Sequence, residues 1–317
     1  MNIKPKVASI SAALGSIAWL SMVFTETPAS NETEFIKRIL LLGVLTIVPL
    51  GLSLIARFKT ENAPLAFQFA VLLQPFAAAA VFISFFLAPG VLAGGLAGLW
   101  LIVTVLVAVF GLHRLRSKAR PVEEICIDAG LVYLPVGAAS LMLSRLGIQP
   151  LGFGDTLVLL AAVHFHFAGF AAPLLAGFAG RSLPANQVLR GLFRTVVVAI
   201  ITGTPLVAVG ITVSPAVALA GALAISLGLF LLALLVAGWV VPLVKSIPAQ
   251  ILLLISSAST LPAMTFACIY AYSVLFKKLL IDIPQMAMTH GVINAFGFVL
   301  CGLIAWTIVD FSAGRRS

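Results

Sequence analysis

Apolar residues gather in ten runs along the chain, near residues 7–24, 35–56, 64–87, 90–112, 125–144, 156–179, 194–213, 216–241, 249–275 and 285–309. A helix needs about 20 apolar residues to cross the roughly 30 Å hydrocarbon core of a bilayer, and each run meets or approaches that length. The runs lack the alternation of barrel strands, and backbone groups facing lipid must be satisfied within their own segment, so helices are expected. The predicted fold is all-α: a polytopic transmembrane helical bundle of about ten spans, with residues 1–317 forming a single integral membrane domain.

Composition narrows the function. Of 317 residues, 62% are hydrophobic and 9% charged, where soluble domains carry about 25% charged residues. Ten spans consume about 200 residues, which leaves caps, loops and tails but no separate soluble domain. A cytosolic enzyme, a nucleic-acid binder and a secreted disulfide scaffold are therefore disfavoured, and the net charge of +9 is read first as topology.

With the N-terminus in the cytoplasm, fourteen of the nineteen basic residues lie inside: Lys4, Lys6, Arg57, Lys59, Arg114, Arg116, Lys118, Arg120, Arg181, Arg190, Arg194, Lys245, Arg315 and Arg316. Lys37, Arg38, Arg145, Lys277 and Lys278 lie outside. An even number of spans with both termini cytoplasmic fits this distribution. The basic stretch His113–Arg120 is then a loop beside anionic headgroups. The first run, preceded by Lys4 and Lys6, also fits a cleaved signal peptide that would leave nine spans, but it is long for a signal core. Cys126, Cys268 and Cys301 fall inside spans and form no disulfide framework.

An internal echo divides the chain. Arg38, Thr46, Pro49 and Leu50 stand at the same interval from Arg194, Thr202, Pro205 and Leu206. Five spans per half (1–150 and 151–317) would make an inverted repeat, a design of many secondary transporters that hold substrate near the midplane. Chance matching of apolar segments is the competing explanation.

Strongly polar groups cost a few kcal/mol inside spans, so function is sought among those present. Segment six carries His164-Phe165-His166-Phe167-Ala168-Gly169-Phe170, and segment ten carries His290 and Asn294. On a regular helix His164 and His166 point to nearly opposite sides, so one metal cannot take both. His290, Asn294, Gly297 and Cys301 form one stripe, expected to face protein. Counted from the outer membrane face at about 1.5 Å per residue, His290 lies roughly 8 Å deep and Asn294 and His164 about a turn deeper, so the two motifs are expected to meet in the outer half. Met286 lies one turn from His290, and a His/Met cluster suits a soft ion such as Cu(I). The plain alternative is that each histidine makes one interhelical hydrogen bond.

Other polar positions are weaker signals. Asp128 is expected near the cytoplasmic edge, within reach of water, and Asp155 as the N-cap of segment six. Gln68, Gln74 and the hydroxyls Ser256, Ser257, Ser259 and Thr260 line an aqueous path or serve packing. Among such places Thr202-Gly203-Thr204-Pro205 ranks highest, because glycine beside proline favours local unwinding. No Ser/His or paired-Asp spacing marks a hydrolase, and neither CxxCH nor a P-loop signature is present.

The segment six motif, the following Ala176-Gly177-Phe178-Ala179-Gly180-Arg181 and the late His290-Gly291-x-x-Asn294-Ala295 pattern resemble the YndJ-like family of bacterial multi-spanning membrane proteins. The resemblance implies a multi-spanning protein of a bacterial cytoplasmic (inner) membrane and supplies a name more than a mechanism, the label transporter being attached to the family in some naming schemes. The His-Phe-His run is also similar to a haem-copper oxidase helix whose two histidines serve two cofactors, but such oxidases need several further intramembrane histidines and this chain offers only His290.

The expected function is transporter-like: an unknown small solute or ion handled through an intramembrane site, with His164, His166, His290, Asn294, Thr202 and Thr204 as its substrate or proton pathway. The alternative is a haem- or copper-binding redox or metal-handling protein with His164, His166, His290 and Met286 as candidate ligands. A further alternative is a non-catalytic accessory subunit.

Overall fold

The computed structural model describes residues 6–25, 32–57, 64–116 and 120–310. Lys4, Lys59, Lys118, Arg315 and Arg316 of the topology argument lie outside them. Ten helices are long and apolar enough to span a membrane: α1 Lys6–Thr25, α2 Glu32–Arg57, α3 Leu65–Ser84, α4 Val91–Leu115, α5 Val122–Leu146, α6 Asp155–Ser182, α7 Gln187–Val213, α8 Pro215–Leu243, α9 Ile247–Leu275 and α10 Ile283–Ile308. They match the ten apolar runs in order, with ends a few residues apart, and no strand occurs among the described residues.

The chain forms two compact units. Unit 1 comprises Met1–Ala119 and Asp128–Ala171, and unit 2 comprises Arg120–Ile127 and Ala172–Ser317. In unit 1, α2 is the most enclosed helix, with 94% of its apolar window buried against 33% for α1. Leu40, Val44, Ile47, Val48, Leu52 and Leu54 of α2 are wholly covered. A helix that is apolar all round belongs in the interior, whereas α1 leaves Ile10, Leu14 and Ile17 exposed.

In unit 2, α7 and α8 form a hairpin joined at Ser214. Their backbones almost touch: a Cβ added at Gly210 would lie 2.1 Å from Ala218 N, and one at Gly221 would lie 2.6 Å from Val207 N. Small residues permit such approach where no hydrophobic effect drives helices together. The unwinding expected at Thr202–Pro205 does not occur, and α7 is continuous through it. The Thr202 and Thr204 hydroxyls donate back to Val198 O (2.8 Å) and Ile200 O (3.0 Å) of the same helix, and Gly203 packs on the α8 backbone at Ile225.

Distortion appears elsewhere, as π-helical turns that insert extra backbone into otherwise α-helical spans. They occupy Gly43–Ile47 in α2, Phe165–Ala171 in α6, Val236–Val240 in α8, and both Ala287–Gly291 and Ile293–Leu300 in α10. Such turns are rare and concentrate at functional sites. Two of the four distorted helices carry the histidine motifs.

Two sequence expectations about carboxylates are corrected. Asp128 is fully buried, and Arg114 Nε approaches its Oδ1 at 2.7 Å: the last turn of α4 brings an arginine to a carboxylate that would otherwise need water. The N-cap of α6 is Gly154, with Asp155 in the first turn. Asp155 Oδ1 instead accepts from Ser144 Oγ at 2.6 Å, while its charge still lies at the favourable end of the helix dipole.

Candidate functional site

The π-helical turn of α6 carries His166 into the interior of unit 1, where it is wholly buried. Its Nδ1 lies 2.8 Å from Ala162 O, and Trp100 Nε1 of α4 lies 3.0 Å from its Nε2. Indole can only donate, so Nε2 accepts and Nδ1–H donates to the carbonyl. Both ring nitrogens are thus engaged and one neutral tautomer is selected. The indole and imidazole planes lie within 13° of parallel, with centroids 6.1 Å apart. Gly137 of α5 makes room, since a Cβ there would stand 2.7 Å from His166 Nδ1 and 3.1 Å from Ala162 O.

His164 falls in the last α-helical turn before the widening and is half-buried, edge-on to Phe165 with centroids 5.4 Å apart. The extra backbone of the turn begins between the two histidines, so their separation is not that of a regular helix.

In unit 2 the paired π-helical turns of α10 present His290 and Asn294 to α9. His290 Nδ1 lies 2.8 Å from Ala263 O, next to Pro262. Asn294 Nδ2 lies 3.2 Å from each ring nitrogen. With Nδ1–H directed to the carbonyl, the nitrogen that can accept from the amide is Nε2. Met264 Sδ is 4.0 Å from the same amide nitrogen.

The stripe on α10 does face α9. A Cβ at Gly297 would meet Ser259 Oγ at 2.2 Å and Cβ at 2.7 Å. Ser256 Oγ donates to Phe298 O at 2.7 Å, a carbonyl inside the π-helical stretch. The next small-residue contact falls on Gly302, beside Ser256, instead of Cys301, because a wider turn shifts the register of everything after it. Beneath it, a cavity of about 20 Å³ touches Ser256, Ser257 and Thr260, enough for one water-sized guest.

His164 and His166 thus belong to unit 1, and His290, Asn294, Met286, Thr202 and Thr204 to unit 2. Met286 is half-buried at the end of the first turn of α10. Thr202 is exposed and Thr204 is buried. Among the described residues, no three His, Cys, Asp or Glu side chains gather as metal ligands. Sequence reasoning missed Trp100, Ala263, Met264 and Gly137, the partners of its own histidines.

The Ala176–Arg181 motif has a separate role inside unit 2. A Cβ at Gly177 would lie 2.8 Å from Glu123 O, so α6 and the start of α5 pack closely. Arg181 then reaches Glu124 with Nε–Oε1 2.6 Å and Nη2–Oε2 2.9 Å. This two-pronged pair is the strong geometry for arginine and carboxylate. Arg190 adds Glu123 at 3.2 Å and donates to Gly180 O and Leu183 O, closing the turn between α6 and α7.

Ten spanning helices with imidazoles hydrogen-bonded inside them define a polytopic α-helical membrane protein. The chain belongs to the YndJ-like protein family, whose pattern matches residues 38–298. It is 28% identical over 300 residues to the "Uncharacterized membrane protein YndJ" of Bacillus subtilis (strain 168), an alignment covering 94% of this chain and 52% of that relative. The chain spans about half the length of the curated relative it matches. No solved structure matches it.

Proposed function

We propose that this protein is a transporter-like component of a bacterial cytoplasmic membrane, with both termini inside, that handles a small solute or ion at an intramembrane His/Asn site. The observation that carries the reading is the His290–Asn294 pair, held on two successive π-helical turns against Ala263 O. A polar pair in a distorted spanning helix costs stability unless it does something. His290 anchors one nitrogen to backbone and keeps the other with a side-chain amide, an arrangement with which a hydrogen-bonded cargo or a proton can exchange. The hydroxyls Ser256, Ser257 and Thr260 continue polar character along α9. His166, engaged at both nitrogens, acts as the pin that holds the tautomer and packing of unit 1, and Thr202 and Thr204 serve helix packing.

Proton flux into pyranine-loaded proteoliposomes, under an imposed pH gradient and membrane potential, tests the reading. His290→Gln should lower the flux at least tenfold while folded yield and thermal unfolding stay near wild type. Equal flux from wild type, His290→Gln and empty vesicles sinks a proton-linked role.

A second reading, redox or metal handling, draws on one observation: the Met264 sulfur stands beside the same amide that meets His290. Sulfur and imidazole together favour a soft monovalent ion. Titration of the purified protein with Ag(I), followed by isothermal calorimetry and by its loss in Met264→Leu, decides it.

A further inference from the structure

Two of the π-helical turns of unit 2, Val236–Val240 in α8 and Ile293–Leu300 in α10, border one small cavity against α9. Val236 and Phe298 line it from those turns, Ser256, Ser257 and Thr260 from α9, and Trp306 from the far end of α10. All six residues are buried. The volume of about 20 Å³ admits one guest the size of a water molecule. Turns of this kind concentrate at functional sites, and here two of them, from different helices, meet at the same space.

The hydroxyls define what the guest must offer. Ser256 Oγ donates to Phe298 O at 2.7 Å, and Thr260 Oγ1 donates to Ser257 O at 2.8 Å. With their hydrogens committed, both oxygens can only accept further bonds. The Ser257 hydroxyl makes no hydrogen bond among the described residues, so its lone pairs are free as well. Three acceptors exceed the two hydrogens of a water molecule and suit the four of an ammonium ion, which is nearly as small. The aromatic side chains of Phe298 and Trp306 add attraction for a cation. No carboxylate lines the cavity, which disfavours a divalent ion, and no sulfur, which disfavours a soft one.

We propose that this cavity is a binding site for ammonium, held by hydrogen bonds to Ser256, Ser257 and Thr260 and flanked by Phe298 and Trp306. Carriage of the bound ion rests on the transporter-like reading above, whereas binding stands without it.

Binding is measured on the full chain in detergent as the thermal unfolding midpoint, while ammonium chloride replaces choline chloride at constant ionic strength and neutral pH. The midpoint should rise saturably with ammonium, since a ligand of the folded state stabilises it by mass action. It should not rise with methylammonium, which is too large, or with potassium, which is of similar size but brings no hydrogens. Ser257→Ala and Thr260→Val each remove one acceptor and should raise the half-saturating concentration about tenfold, with midpoints in choline near that of wild type. His290→Gln should respond as wild type does, because His290 stands about two helical turns from Phe298 along α10. No response to ammonium, an equal response to potassium or methylammonium, or a response unchanged in both hydroxyl variants overturns the site. An absent ammonium response beside His290-dependent flux removes this site alone, whereas a saturable response beside flux indifferent to His290 removes the transport reading alone.

Discussion

His166 and His290 occupy comparable local structures and are held differently. Each sits in a π-helical turn of a spanning helix, and each gives Nδ1 to a backbone carbonyl, Ala162 O for one and Ala263 O for the other. The contrast lies at Nε2. His166 meets the fixed indole of Trp100, wholly buried, while His290 meets the amide of Asn294 on its own helix, half-buried and adjacent to a methionine. A buried ring closed at both nitrogens by rigid partners has no proton or lone pair to exchange. One closed by a side-chain amide is the ring to which the proposed function assigns exchange. The comparison teaches that a histidine inside a membrane is informative only together with what its second nitrogen touches.

The largest effect should come from breaking the rigid member. His166→Leu leaves the Trp100 indole N–H without an acceptor in a closed interior, and unsatisfied buried donors cost about 1–3 kcal/mol. Thermal or SDS-induced unfolding of the purified protein should show a loss of that size. Trp100→Phe in the same background should restore part of it, since removing both partners of a hydrogen bond costs less than removing one. Full additivity of the two losses would mean that the bond contributes nothing.

The unequal legibility of these features has physical causes. Span number and approximate ends follow from bilayer thickness and apolar content, which are local properties. The stripe His290, Asn294, Gly297 was legible because periodicity reports a helical face. Trp100 was not, because a tryptophan in a span counts as apolar bulk and its indole N–H finds its acceptor on a distant segment. The carboxylate of Asp128 was assigned to water for a similar reason: Arg114 closes on it across the α4–α5 turn, and no spacing rule marks that pair. The π-helical turns were missed although each contains a glycine, namely Gly43, Gly169, Gly238, Gly291 and Gly297. Glycine alone does not mark such turns, because Gly203 lies between two threonines in α7, which stays a regular helix, and only Gly291 of the five adjoins a strongly polar residue, His290.

Asn294→Ala sharpens the comparison from the side of unit 2 and should have a smaller effect on stability. An interhelical or side-chain hydrogen bond within a membrane contributes about 0.6 kcal/mol on average, and His290 keeps its bond to Ala263 O. The unfolding midpoint should therefore move little, whereas flux through the reconstituted protein should fall along with that of His290→Gln. A stability loss matching that of His166→Leu would show that the amide is a packing element like Trp100, and the distinction between the two histidines would collapse.

The smallest effect is expected where a polar residue in a span touches neither centre. Thr202 is exposed and its hydroxyl donates to Val198 O of its own helix at 2.8 Å. Thr202→Val keeps the β-branched shape and removes a back-bond that slightly destabilises helices, so stability should change by less than about 0.5 kcal/mol and flux should equal that of wild type. Thr202 and Thr204 differ in burial, and Thr204→Val in parallel separates the two faces of α7. If Thr202→Val reduced flux, the conducting face would include the lipid-exposed side of α7, and the assignment of exchange to His290 and Asn294 would have to be extended to a helix that shows no distortion.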